Sequence, residues 1–161
     1  MSRDEDKMGR ARSVSRRVMR GFRPGNLAAA RRSMGISRAE LARQADIGGT
    51  TITRWERDEA SPQVDLLARV VKVLGIEISD LVQVPVAERF PGDWRVLRGL
   101  TQPQLGAAAG TSTQMVGSVE RGEISLSDAM AKKLSAALGI SETELRASYE
   151  RARSRPHGES A

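Results

Sequence analysis

The sequence contains no cysteine. Disulfides, thiolate-held metals and thiol nucleophiles are therefore excluded. Aromatic residues make up 3% of the chain, and Phe22, Trp55, Phe90, Trp94 and Tyr149 are its only rings. A β-sandwich core draws on aromatic and β-branched residues, so this scarcity speaks against one. The single histidine, His157, stands between Pro156 and Gly158 in a polar stretch. That is a poor setting for a metal ligand or a general base. No apolar run approaches the roughly 20 residues that a membrane helix needs. The basic beginning is not followed by the apolar stretch of a secretory signal. HExxH, P-loop and GxSxG patterns are also missing. The expectation is a cytoplasmic, non-enzymatic protein with no metal, no cofactor and no membrane partner.

What remains is rich in Ala, Leu and Arg, which favours short helices. The formal net charge is +6, and it is unevenly placed. Residues 1–25 hold eight Lys or Arg against three acids, and residues 146–161 hold four against two. The stretch between them, 26–145, has 14 basic and 15 acidic residues. The positive charge thus lies at the two ends. Such ends either stay solvated or neutralise phosphates, and composition does not choose between these.

The chain repeats itself at an offset of 64 residues, without gaps. Arg31 falls on Arg95, Gly35 on Gly99, Leu41 on Leu105 and Ala45 on Ala109. Ile52 falls on Val116, Glu56 on Glu120, Arg57 on Arg121, and Leu74-Gly75-Ile76 on Leu138-Gly139-Ile140. So many coincidences at one offset make the chain two copies of one small helical unit.

Each copy carries the same local signals. In copy one a helix from about Asn26 to Met34 stops at Gly35, a good left-handed cap. Ser37 and Glu40 read as a capping box for a second helix, with Leu41 and Ala45 four apart on one face. Asp46 tolerates the positive φ of the following turn, and Ile47 fills the corner. A third helix is expected from about Gly49 to Arg57, with Ile52 and Trp55 inward. Pro62 opens a fourth, with Leu66, Val70 and Leu74 inward, and a short fifth ends near Leu81. Copy two repeats this with a Thr101–Gln104 box, a turn at Gly110, a Ser112 cap, and Val116 and Val119 inward. Its fourth helix carries Met130, Leu134 and Leu138, and its last runs from about Glu142 to Arg153.

The segments SRAELARQADIGGTTITRWERDE and TQPQLGAAAGTSTQMVGSVERGE resemble the helix-turn-helix of the Cro and lambda-repressor-like (Xre-type) family. The resemblance covers residues 27–145. It implies an all-α fold of two tandem five-helix DNA-binding domains, with the third helix of each in the major groove. The expected organisation is a basic, flexible arm over 1–25, domains over 26–82 and 91–150, a linker over 83–90, and a basic tail over 151–161. Fully extended, that linker spans roughly 26–29 Å, and Pro85 and Pro91 stiffen it.

The outward positions of the third helices are small, polar or basic, and are the candidate base readers. They are Gly49, Thr50, Thr53 and Arg54 in copy one, and Thr113, Gln114, Gly117 and Ser118 in copy two. Arg suits guanine and Gln suits adenine; an ordinary solvated helix face is the competing reading. The resemblance further implies phosphate contacts at Arg38 and Gln102, where helix two begins. Arg57 and Arg121, just past helix three, are also within reach of a phosphate. It implies structural ion pairs of Arg31 with Glu56 and of Arg95 with Glu120.

The copies depart from the pattern in different ways. Gly48 stands where copy one should cap its third helix, which softens that helix's start. In copy two Gly106 stands where Ala is the better helix former by about 1 kcal/mol. Thr111 replaces an apolar corner residue, and Leu126 replaces the proline that opens helix four. Copy two is expected to be the less stable half. The sequence thus points to a bacterial or phage transcriptional regulator of the repressor kind, acting on double-stranded DNA at the nucleoid. The alternative is an antitoxin or adaptor that uses one domain for DNA and the other for protein. A homodimer or a partner held through domain 2 stays open.

Overall fold

The computed structural model describes residues 18–161, whose regular secondary structure is helical apart from one isolated bridge. The basic segment before residue 18, which holds most of the expected arm, lies outside them. The first unit comprises α1 (Pro24–Ser33), α2 (Arg38–Gln44), α3 (Thr51–Glu56) and α4 (Val64–Leu74). Its fifth element is a single 3-10 turn, Ile78–Asp80. The second unit comprises α5 (Pro91–Leu97), α6 (Gln102–Ala109), α7 (Thr113–Glu120), α8 (Asp128–Leu138) and α9 (Glu142–Arg153).

Two apolar cores organise these helices. Leu27, Leu41, Ile52, Trp55, Leu67 and Val70 centre the first. Leu105, Val116, Val119, Leu134, Leu138 and Leu145 centre the second. The inward positions of the fourth helices differ by one from the sequence expectation. Leu67 and Ala131 are fully buried, whereas Leu66 and Met130 only flank the cores. Burying Leu67 with Val70, Val71 and Leu74 puts a stripe three and four residues apart on one face, and Leu66 falls at its edge.

The caps explain where the helices begin and end. Ser37 accepts the Glu40 N–H, but the Glu40 carboxylate does not return to complete the expected box. It binds Arg43 and Gln44 instead, and hydrogen bonds from these two hold its pKa down at about 2. The Thr101–Gln104 box is formed as expected. Asp46 takes a positive φ of 53°, and Gly110 does the same in copy two at 68°.

Gly106 is explained by its neighbours rather than by helix propensity. A Cβ there would lie 2.8 Å from the Thr111 carbonyl oxygen, so α6 needs a glycine to approach that turn.

The two units are docked on each other. Val96 and Leu97 of α5, in the second unit, pack against the first core. A Cβ on Gly99 would meet Ile78 Cδ1 at 3.2 Å and Ala68 Cβ at 3.3 Å. The linker expectation is corrected accordingly. Residues 83–90 are not an extended tether: Val84 is buried and residues 86–88 form a 3-10 turn. Arg89 donates to the Val84 carbonyl and stacks on Trp94 at 4.4 Å from the ring centre. From α9, Arg151 donates to the carbonyls of Arg89 at 2.8 Å and Val86 at 3.1 Å.

The expected start of domain 1 at residue 26 also moves. Phe22 bridges Val82, the Arg23 N–H donates to the Leu81 carbonyl, and the Gln83 N–H donates to the Gly21 carbonyl. Met19 and Phe22 flank the first core. Arg20 ion-pairs with Asp93 across the units and lies 4.2 Å over the Phe90 ring. Residues 19–25 are therefore part of the fold, not of an arm. Burial pushes the Asp93 carboxyl up, opposed by the Phe90 N–H and by the charges of Arg20 and Arg89.

Candidate nucleic-acid interface

In each unit a seven- or eight-residue helix, a tight turn and a further short helix stand in series: α2–α3 and α6–α7. The second helix of each pair keeps its apolar side in the core. Ile52 and Trp55 are buried in α3, and Val116 and Val119 in α7. The opposite side is left to solvent. Gly49, Thr50 and Arg54 are exposed on copy one, and Thr53 is half-buried. Thr113 and Gln114 are exposed on copy two, and Ser118 is half-buried.

Gly117 does not belong to that exposed set, contrary to the sequence expectation. It is buried, and a Cβ there would lie 2.9 Å from a terminal nitrogen of Arg121. The guanidinium that follows the helix folds back over this position, so Gly117 supplies room rather than a contact. Composition alone could not show this, because the cover comes from the side chain of Arg121.

The two candidate recognition helices also start differently. Ser112 caps α7 by accepting the Met115 N–H, and α7 has eight residues. Copy one has Gly48 at the matching place; α3 begins only at Thr51, without a side-chain cap, and has six residues. The expected start at Gly49 is thus two residues early, and the soft start read from Gly48-Gly49 is met. A free hydroxyl at the cap satisfies an otherwise orphan N–H, and copy one lacks it.

The expected ion pairs are formed, and they tie α3 and α7 to the first helix of their units. Arg31 donates to both Glu56 oxygens, at 2.8 and 2.9 Å, and to the Ile36 carbonyl. Arg95 does the same with Glu120, at 2.5 and 3.3 Å, and with the Leu100 carbonyl. Arg38 adds a bond of 3.1 Å to Glu56, and Gln102 adds one of 3.4 Å to Glu120. The sequence reading did not foresee this last pair of contacts. They place both helix-two residues beside the end of the recognition helix. Burial works to raise the Glu56 carboxyl, but hydrogen bonds from Arg31 and Arg38 outweigh it and hold it below the usual range.

Past the recognition helices, Arg57 is exposed. Arg121 donates to Glu123 at 2.8 Å, and this hydrogen bond to the carboxylate raises the Arg121 pKa. Each copy therefore presents a polar helix face flanked by cationic or amide side chains at both ends. A helix of this kind, standing out from its own core, suits the major groove, whose floor offers donors and acceptors. Cations at its flanks suit the phosphate ridges on either side.

This arrangement defines a helix-turn-helix protein with two such units. A helix-turn-helix family model matches the chain twice, over residues 27–81 and 93–145. The chain belongs to that family, the Xre or lambda-repressor-like helix-turn-helix proteins, and carries two copies in tandem. A search of curated proteins found no match. Membership makes the chain a DNA-binding transcription regulator, with duplex DNA as its partner. Among the described residues, no helix is long and apolar enough to cross a membrane.

Proposed function

We propose that the chain is a sequence-specific repressor that reads the major groove with both α3 and α7. The observation that carries this reading is the two-sided build of these helices. Their apolar positions are spent in the cores, and their exposed positions are Thr50 and Arg54, or Thr113, Gln114 and the half-buried Ser118. Arg54 is suited to guanine and Gln114 to adenine. Arg38, Gln102, Arg57 and Arg121 act on the phosphates and set register without reading bases. A protein that occupies duplex DNA acts most simply by blocking access to its site.

Selection of bound duplexes from a random pool tests the assignment. Replacing Arg54 or Gln114 by Ala should relax preference at one base pair, at a cost of about 1–3 kcal/mol. Replacing Arg38 or Gln102 should weaken every duplex alike. Equal, sequence-independent losses from both kinds of variant would remove the groove assignment. Repression itself is read from a reporter placed downstream of the selected site: expression should fall with the protein present, and a rise would make it an activator.

A further inference from the structure

We propose that the C-terminal segment, folded against the end of α7, forms a binding site for a DNA-backbone phosphodiester. The inference rests on the duplex-DNA reading above and adds a site to it. It begins with a difference between the copies. The exposed face of α3 carries Arg54, whereas the matching position in α7 is Ser118, and no residue of the α7 face is cationic. Copy two needs positive charge from elsewhere to hold a polyanion as firmly.

The structure sorts the four arginines of the C-terminal region into two groups. Arg146 is spent on Asp128 and on the Leu126 carbonyl. Arg151 is spent on the linker carbonyls of Val86 and Arg89. Arg153 and Arg155 instead arrive at the end of α7. Arg155 donates to the carbonyl of Arg121, the residue that caps α7, at 2.6 Å, and also to the carbonyls of Ala152 and Glu159. The backbone of Arg153 lies against Gly122, where a Cβ would sit 2.7 Å from the Arg153 Cα. Gly122 has a φ of +67°, so both its conformation and this contact call for glycine.

These contacts gather Arg121, Arg153, Arg155 and His157 around one surface concavity, with Glu159 on its wall. Arg121 is partly offset by Glu123. Arg153 is exposed, and its one hydrogen bond to a side chain among the described residues goes to the Tyr149 hydroxyl. Three guanidiniums thus face two carboxylates, which leaves the concavity positive. The planar fork of an arginine matches a phosphate's oxygens. A recognition helix lying in the major groove meets a phosphate ridge where the chain leaves the groove. That exit is Arg121-Gly122, the place where the tail is docked. Arg155 positions the tail, and Arg153 is the group directed at the phosphate.

The test is equilibrium binding of the full chain to a selected duplex over a range of KCl concentrations. Arg153→Gln keeps the stem of the side chain and removes its charge. It should make the slope of log K against log salt less negative by about 0.9, the value for one phosphate contact. Affinity should fall by the same factor on selected and unrelated duplexes, and Arg153→Lys should restore the slope. An unchanged slope in Arg153→Gln, with the full chain binding normally, would overturn this site alone. Tighter binding by Arg153→Gln would also overturn it, because the tail would then be a cover over α7. A full chain whose binding to every duplex ignores salt would overturn the DNA reading along with it.

Discussion

Removing the Glu56 carboxylate tests how the first unit holds its recognition helix. Glu56 closes α3, and its side chain is 1% exposed. It receives two bonds from Arg31, whose side chain is 10% exposed, and one from Arg38, which is 35% exposed. Glu56→Ala leaves Arg31 charged, nearly buried and unpaired, which typically costs about 3–5 kcal/mol. Arg38 stays in contact with water, so its share of the pair is no more than about 1 kcal/mol. Arg31→Ala should therefore be nearly as costly as Glu56→Ala, and Arg38→Ala should cost under about 1 kcal/mol.

This ranking decides whether Arg38 serves the fold or the ligand. Urea unfolding measures it, followed by Trp55 fluorescence in a Trp94→Phe background. Trp55 is buried beside Glu56 in the first core, and Trp94 belongs to the second. A loss below about 1 kcal/mol in Glu56→Ala, the scale of an exposed pair, would refute the reasoning. So would an Arg38→Ala loss equal to that of Arg31→Ala. The pH dependence has a fixed sign. The folded Glu56 carboxyl titrates below its ordinary value, because the bonds from Arg31 and Arg38 outweigh burial. As pH falls, the unfolded chain takes up this proton first. The contribution is therefore complete above the ordinary glutamate range, near about 4.3, and is lost as pH falls through the lower, folded value. Glu56→Gln should flatten stability against pH in that window.

Further outcomes follow from other positions. Gly106→Ala should destabilise the second unit despite the better helix propensity of Ala. The gain of about 1 kcal/mol is set against an overpacking cost of about 1–3 kcal/mol, and thermal unfolding that shows a clear gain would contradict the 2.8 Å approach to Thr111. Deleting residues 2–17 should make the salt slope of duplex binding less negative; an unchanged slope would make that basic segment a solubilising one. Deletion through residue 25 should also lower the thermal midpoint, because Met19, Phe22 and Arg23 belong to the first unit.

The helices were legible because periodicity and caps act locally. Ser37, Thr101, Ser112 and the glycine stops are all read from a few neighbouring residues, and the offset of 64 residues doubled each signal. The ion pairs were legible only through family resemblance, since Arg31 and Glu56 are 25 residues apart. What the sequence concealed were contacts between the units and cover by side chains. The linker read as a tether because Pro85 and Pro91 punctuate it. It is folded because Arg89, within it, donates to Val84 and stacks on Trp94, and because Arg151, from the distant α9, donates to its carbonyls. Gly117 read as outward because helical spacing puts it beside Gln114 and Ser118, and Arg121 buries it. Gly106 read as a defect because propensity ignores the carbonyl that faces it.

Footprinting the full chain on a selected duplex shows whether both units read DNA together. Neighbouring major-groove half-sites on one face lie roughly 34 Å apart, and the docked units fix the relation of α3 to α7. Protection is expected over about two helical turns, with two dissimilar half-sites, since Thr50 and Arg54 differ from Gln114 and Ser118. Protection of a single half-site, unchanged when Gln114 and Ser118 are both replaced by Ala, would contradict it.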